Sequence, residues 1–296
     1  MSRLLKAEMY KLKKTTAFKV LIILSIFFAL MSIGITKLIS SEDFLRNSLG
    51  NTMTEQQKDE YIERIEQMSN PSDEVVVSGN IGFHISSSNI FNPKGKELFY
   101  GTFGSGVIEI YIAVLVAALV ASEYSKNTIK NTLAYGKKRY VYYINKIIIT
   151  SIAAFICVIV MTGIAGIIGS AIWGWGGLFT FKEFLDIIKQ YIAVFLIIAS
   201  LSSLMTLIAT ATRSNGATMA IGIVLFAIVL HLIGGFYGIF DWFDAVFKCT
   251  PAYLWDSVLR INMKSIDFIR AILSSITIIA TAGTAGAYVL EKQDIK

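Results

Sequence analysis

Charge is scarce in this chain: 16% of its 296 residues are Asp, Glu, Lys or Arg, while 54% are hydrophobic. Ordinary soluble domains carry about 25% charged residues, so a water-facing surface all round is excluded. Proline is scarcer still, with three residues, and long stretches are therefore free to be helical without a break. There are two cysteines. Cys157 sits inside an apolar run and Cys249 in a polar linker, so they belong at different depths and no disulfide framework is expected. The two histidines, His84 and His231, lie far apart, and no H-E-x-x-H occurs, which leaves no metal-protease signature. His231 fits a hydrogen-bonded core position better than a proton relay. G-x-x-x-x-G-K-[ST] is absent, so the chain has no P-loop to cradle ATP phosphates. No Ser–His or Ser–Lys pair suited to intramembrane catalysis stands out. The expectation is a protein that is not an enzyme and holds no cofactor or metal of its own.

What is present is a series of six apolar runs, roughly 20–35, 104–121, 147–172, 187–211, 217–239 and 268–290, each near or above the ~20 residues that cross a bilayer. Before the first, residues 3 to 16 place Leu5, Met9 and Leu12 on one helical face among lysines, as in a basic helix lying in the membrane interface. A cleaved leader is disfavoured, because the following run exceeds a 7–15-residue h-region and has no small-residue cleavage pattern. Lys19 and Lys37 are placed to snorkel at the two ends of the first span. Residues 40 to 102 hold ten acids against five bases and belong outside. There Thr54 and Gln57 form a capping box, Tyr61, Ile62, Ile65 and Met68 an apolar helix face, and Asn70-Pro71 a stop. Val75 to Val77 and Gly82 to Ile85 are short β-prone pieces.

Further on, Gly163, Gly166 and Gly169 offer close helix approach, as do Gly283 and Gly286. Trp173, Trp175 and Phe179 form an outer aromatic belt, and residues 181 to 189 make an amphipathic lead into the fourth span. The linker 240–267, interrupted by Pro251, predicts two short helices in the outer leaflet. The segments assigned inside carry fifteen bases and four acids, so both termini are expected in the cytoplasm. The fold class is thus an all-α membrane protein with six transmembrane helices, an interfacial N-terminal helix and a small extracellular domain between spans one and two. Its divisions are 1–39, 40–102 and 103–296. The net charge of +6 is accounted for by topology and anionic lipid headgroups, and no nucleic-acid motif is present.

The loop from Ala121 to Lys146 reads ASEYSKNTIKNTLAYGKKRYVYYINK, with Lys126, Lys130, Lys137, Lys138, Arg139 and Lys146 against the single acid Glu123. That bias places it in the cytoplasm. Ile129 and Leu133 share one face of a short amphipathic helix ending near Gly136, within a segment 122–137 that nothing else in the chain obviously covers.

This loop resembles that of ABC-2 type transporter permeases, which carry a pattern like E-Y-x-x-G-T-[IL]-K-x-[LT]-L followed by a turn and an Arg and a Lys. Here the matching residues are Glu123, Tyr124, Thr128, Ile129, Lys130, Leu133, Gly136, Arg139 and Lys146, with Asn127 where the family often has Gly and Gly136 where it often has Pro. The resemblance extends to the six-span plan, the N-terminal helix and the Pro-containing outer linker. It implies that 122–137 is a coupling helix seated on a separate ABC ATPase subunit, which would bind ATP and Mg, and that two such permease subunits pair. Size and the external domain resemble bacitracin-type and lantibiotic-immunity exporters, implying outward movement of a peptide or amphiphile across the bacterial cell membrane. The alternative is an ion-coupled transporter or channel using Glu109. This acid lies inside span two, roughly 8 Å below its outer end by helical rise. Arg270, at similar depth in span six, is the expected ion-pair partner.

Overall fold

The computed structural model describes residues 2–50, 53–68, 82–83, 87, 89–104, 106–130 and 138–293. Among these residues the chain is helical, without strands. Six helices are long and apolar enough to cross a membrane: α2 Thr16–Ile39, α6 Val107–Ser125, α7 Arg139–Trp173, α8 Phe181–Thr212, α9 Asn215–Gly234 and α12 Ser265–Lys292. The shorter ones are α1 Ser2–Lys14, α3 Glu42–Ser48, α4 Glu55–Met68, α5 Gly95–Gly101, α10 Asp241–Phe247 and α11 Pro251–Val258.

The longest helix, α7, is the hub, because it packs against α1, α2, α5, α6, α8 and α12. Its inner face is built of Ala153, Ala154, Cys157 and Ala165, small side chains that let neighbours approach, and all four are fully buried. Gly166 and Gly169 admit α5 on another part of that helix: a Cβ on Gly166 would lie 3.0 Å from the Phe99 ring, and one on Gly169 3.2 Å from Leu98. Gly286 of α12 likewise leaves room for the Tyr143 phenol, whereas Gly163 faces open space. Close approach was therefore correctly expected of Gly166, Gly169 and Gly286, and the neighbours they admit belong to the same chain.

Element boundaries follow local chemistry. Thr54 and Gln57 cap α4 reciprocally, Gln57 N–H donating to Thr54 Oγ1 at 3.3 Å and Thr54 N–H to Gln57 Oε1 at 3.0 Å. An equivalent box at Thr180 and Glu183 starts α8, so the amphipathic lead at 181–189 is the first part of one continuous helix rather than a separate piece. Thr250 caps α11 and Pro251 occupies its first turn, where a missing N–H costs nothing, and the linker forms the two short helices α10 and α11. Two of the spans contain π turns, Ala117–Ala121 in α6 and Ile223–Val229 in α9. Both cysteines are free, Cys157 buried and Cys249 exposed.

α5 is an element that composition alone did not reveal. Residues 95–101 sit in the polar stretch, yet Leu98, Phe99 and Tyr100 are buried, and Gly95 and Lys96 N–H groups donate to the Gly174 and Trp175 carbonyls at the end of α7. Lys96 also pairs with Glu183 at 2.7 Å. Phe99, Phe103, Tyr191 and Trp255 pack edge to face or tilted, and Trp255 Nε1 donates to the Gly104 carbonyl at 2.6 Å. This aromatic cluster lies at the end of the bundle opposite the two termini. Val75 to Val77, Ile85, His84 and Asn70-Pro71 lie outside the described residues.

Candidate functional site at the termini end of the bundle

At the other end, α1 lies against the start of α7 and the end of α6. Leu12 is buried in the core and Met9 packs beside it, as the amphipathic pattern requires, but the same helix also buries an acid, Glu8, at 1% exposure. The reason is Lys146, about two turns into α7 and itself 1% exposed. Its Nζ donates to Glu8 Oε2 at 2.7 Å, to Glu123 Oε1 at 2.8 Å and to the Leu119 carbonyl at 3.0 Å. Three ammonium donors thus meet three acceptors. Tyr142, one turn earlier on α7, donates its hydroxyl to Glu123 Oε2 at 2.6 Å, and its ring lies under the Lys146 ammonium at 5.3 Å. Lys11 closes the group from the half-exposed side, bonding Glu8 Oε1 at 2.9 Å and Glu123 Oε1 at 3.0 Å. Partial burial acts to lower the Lys11 ammonium, but its bonds and charge contacts with Glu8 and Glu123 outweigh that and raise it above its ordinary range.

Two carboxylates and two ammonium groups balance in charge, so Glu8 and Lys146 can sit out of water while Lys11 stays part-exposed. Leu119, which supplies the backbone acceptor, belongs to the π turn 117–121. The α6 helix then ends at Ser125 through a Schellman arrangement: Thr128 N–H donates to the Glu123 carbonyl at 3.0 Å and Asn127 N–H to the Tyr124 carbonyl at 3.1 Å. Asn127 takes the left-handed conformation such a turn needs, with φ 56°. Asparagine tolerates that region where most residues do not, which explains how it stands in a position where glycine is common.

The expected site residues separate here. A single helix over 122–137 is not what forms, since the Asn127 turn interrupts it and helix resumes only at Ile129 and Lys130. Glu123, expected to touch a partner, points inward into the Lys146 cluster. Ile129 is 2% exposed and packs on Tyr142, Tyr143, Ile147 and Leu290. Arg139 is also committed internally: its guanidinium donates to the Leu290, Glu291 and Gln293 carbonyls at 2.7–3.0 Å, capping the end of α12. Tyr124 is half-buried against the core, while Thr128 and Lys130 are exposed. Leu133 and Gly136 lie outside the described residues. What sequence reading missed was Glu8 and the inward turn of Lys146. The available signal was that Glu8 and Glu123 are each the lone acid in a basic segment.

The expected pair of Glu109 and Arg270 does not form. Arg270 bonds Asp267, three residues back on its own helix, at 3.0 Å. Glu109 is 1% exposed, and neither carboxyl oxygen has a hydrogen-bond partner among the described residues. A nearby carboxylate on the same helix turn outcompeted a longer reach between spans. His231 is buried as expected, but its Nδ1 has no partner there either. No group of three or more His, Cys, Asp or Glu residues placed to hold a metal ion occurs among the described residues.

Comparison with protein families matches residues 6–243 to the model of the ABC-2 family transporter proteins. No curated protein and no solved structure matches the chain.

Proposed function

Because the chain belongs to the ABC-2 family of transporter proteins and is thus a permease component of an ABC transporter, we propose that it moves a peptide or amphiphilic compound outward, driven by a separate ATPase subunit. In this reading the membrane is the bacterial cytoplasmic membrane, both termini face the cytoplasm, and a second permease subunit completes the pathway. ATP and Mg belong to the ATPase. Protection against antimicrobial peptides is the role that the size and external segment of the chain favour.

The observation that carries the reading is how the loop after α6 is rooted. On one side Glu123 is held by Lys146, Lys11 and Tyr142; on the other Arg139 holds the end of α12; between them Ile129 is packed on α7. A soluble subunit that pushes on residues 126–138 therefore moves α1, α6, α7 and α12 as one unit, which is what conversion of ATP hydrolysis into membrane motion requires. The inward-turned residues transmit; the exposed Thr128 and Lys130 are left to touch the ATPase, and in this reading Leu133, outside the described residues, joins them. Lys130→Glu or Leu133→Asp should abolish co-purification of the ATPase and ATP-driven transport while leaving the permease folded. Retention of both in Leu133→Asp would refute the docking role.

A further inference from the structure

The end of the bundle opposite the termini holds a cavity of about 600 Å³ between the starts of α8 and α12, the end of α11 and the Tyr100 end of α5. Four cations line it, Lys182, Lys189, Arg260 and Lys264, against one acid, Asp186. Asp186 lies 3.4 Å from Lys189, so with that pair set aside Lys182 and Lys264 still make the lining positive. Deeper in, Gln190 is 2% exposed; its Nε2 donates to the Val258 carbonyl at 3.1 Å, while its Oε1 is buried with no partner among the described residues. A buried amide oxygen without a donor costs stability unless something supplies one. Tyr100 adds a hydroxyl, and burial pushes it up to about 12, so it remains a donor. Ile261, Met263 and Phe268 supply an apolar wall beside these polar groups.

Together these features describe a receptor for an anion that also carries a hydrogen-bond donor and adjoins apolar matter. We propose that this cavity binds the headgroup of an anionic phosphate ester, its phosphate held by Lys182 and Lys264 and a hydroxyl of the headgroup donating to Gln190 Oε1. Ammonium and guanidinium groups are the usual partners of phosphate oxygens. The position of the cavity, where two membrane-length helices begin, is the level at which lipid headgroups lie. This inference needs only that the six helices cross a membrane, and does not depend on the direction of transport or on the ATPase.

The test uses the full chain in nanodiscs of phosphatidylcholine, with or without phosphatidylglycerol, whose headgroup has both the phosphate and free hydroxyls. Phosphatidylglycerol should raise the melting temperature, and in Lys182→Gln/Lys264→Gln the apparent affinity in a lipid titration should fall about tenfold or more, as for loss of charge-assisted bonds. Melting of that variant in phosphatidylcholine alone should match the native chain, since both lysines are exposed. Adding glycerol phosphate to phosphatidylcholine nanodiscs separates the sources. An equal shift assigns the site to a free phosphate ester, and no shift assigns it to lipid. Lys13→Gln/Lys14→Gln, at the opposite end, controls for general surface charge. The proposal is overturned if phosphatidylglycerol does not stabilise the native chain, if the double variant keeps the full affinity, or if the control variant loses as much.

Discussion

The three donors of the buried Lys146 ammonium meet three acceptors, on Glu8, Glu123 and the Leu119 carbonyl, and two of these acceptors are charged. Removing the cation leaves Glu8 and Glu123 facing each other with only Lys11 between them. Breaking a buried pair in this way costs about 3–5 kcal/mol, whereas replacing all the members with apolar or neutral groups is often close to neutral. Lys146→Met should therefore lower the melting temperature sharply, and Glu8→Gln/Glu123→Gln/Lys146→Met should recover much of the loss. A single variant that melts with the native protein would show the cluster to be incidental. Glu109 is the opposite case, a buried carboxyl with no hydrogen-bond partner among the described residues. Glu109→Leu removes an unsatisfied group of similar size, and stability should rise by about 1–3 kcal/mol. A marked fall in melting temperature would mean that the carboxyl is paired. Stability that rises while transport falls would place Glu109 on the pathway.

At the scale of elements, the turn after α6 depends on one residue in an unusual conformation. Asn127→Gly should be neutral or stabilising by about 0.5 kcal/mol, and Asn127→Val should cost roughly 1–2 kcal/mol because a β-branched side chain is strained at φ 56°. Equal melting of the two variants would contradict the Schellman geometry. Arg139→Ala leaves the last α12 carbonyls without their donor, so amide hydrogen exchange over residues 286–290 should accelerate while that over the middle of α12 does not. Local devices such as the Thr54–Gln57 box and the Pro251 start were legible in the sequence, since every partner lies within a turn. Long-range ones were not. Nothing in the spacing of Glu8, Glu123 and Lys146 says which cation takes which acid, and Asp267 captured Arg270 because a same-helix neighbour needs no alignment of two spans.

At the scale of the whole molecule, the six spans could be read because bilayer thickness imposes a length and composition that ordinary cores do not. Helix ends were less legible: α7 begins at Arg139, eight residues before its apolar run, because Tyr142, Tyr143 and Lys146 are buried by partners that hydropathy does not see. α5 was hidden for the same reason, a buried helix inside a segment that is polar on average. The family match extends through five of the spans, and in the proposed function the rooted loop is the route by which a soluble motor would act on them. The central claim is that exposed residues of this loop meet the ATPase while its inner residues hold the bundle. It is tested most directly by placing one cysteine at Lys130 in a Cys249→Ser background, since Cys157 is buried. The co-expressed ATPase is then treated with a short thiol-to-amine crosslinker in nucleotide-free and ATP-bound states. The account predicts a crosslinked permease–ATPase species whose yield changes with nucleotide, and none from a cysteine at Lys182 at the opposite end. Crosslinking from Lys182 but not from Lys130 would contradict it.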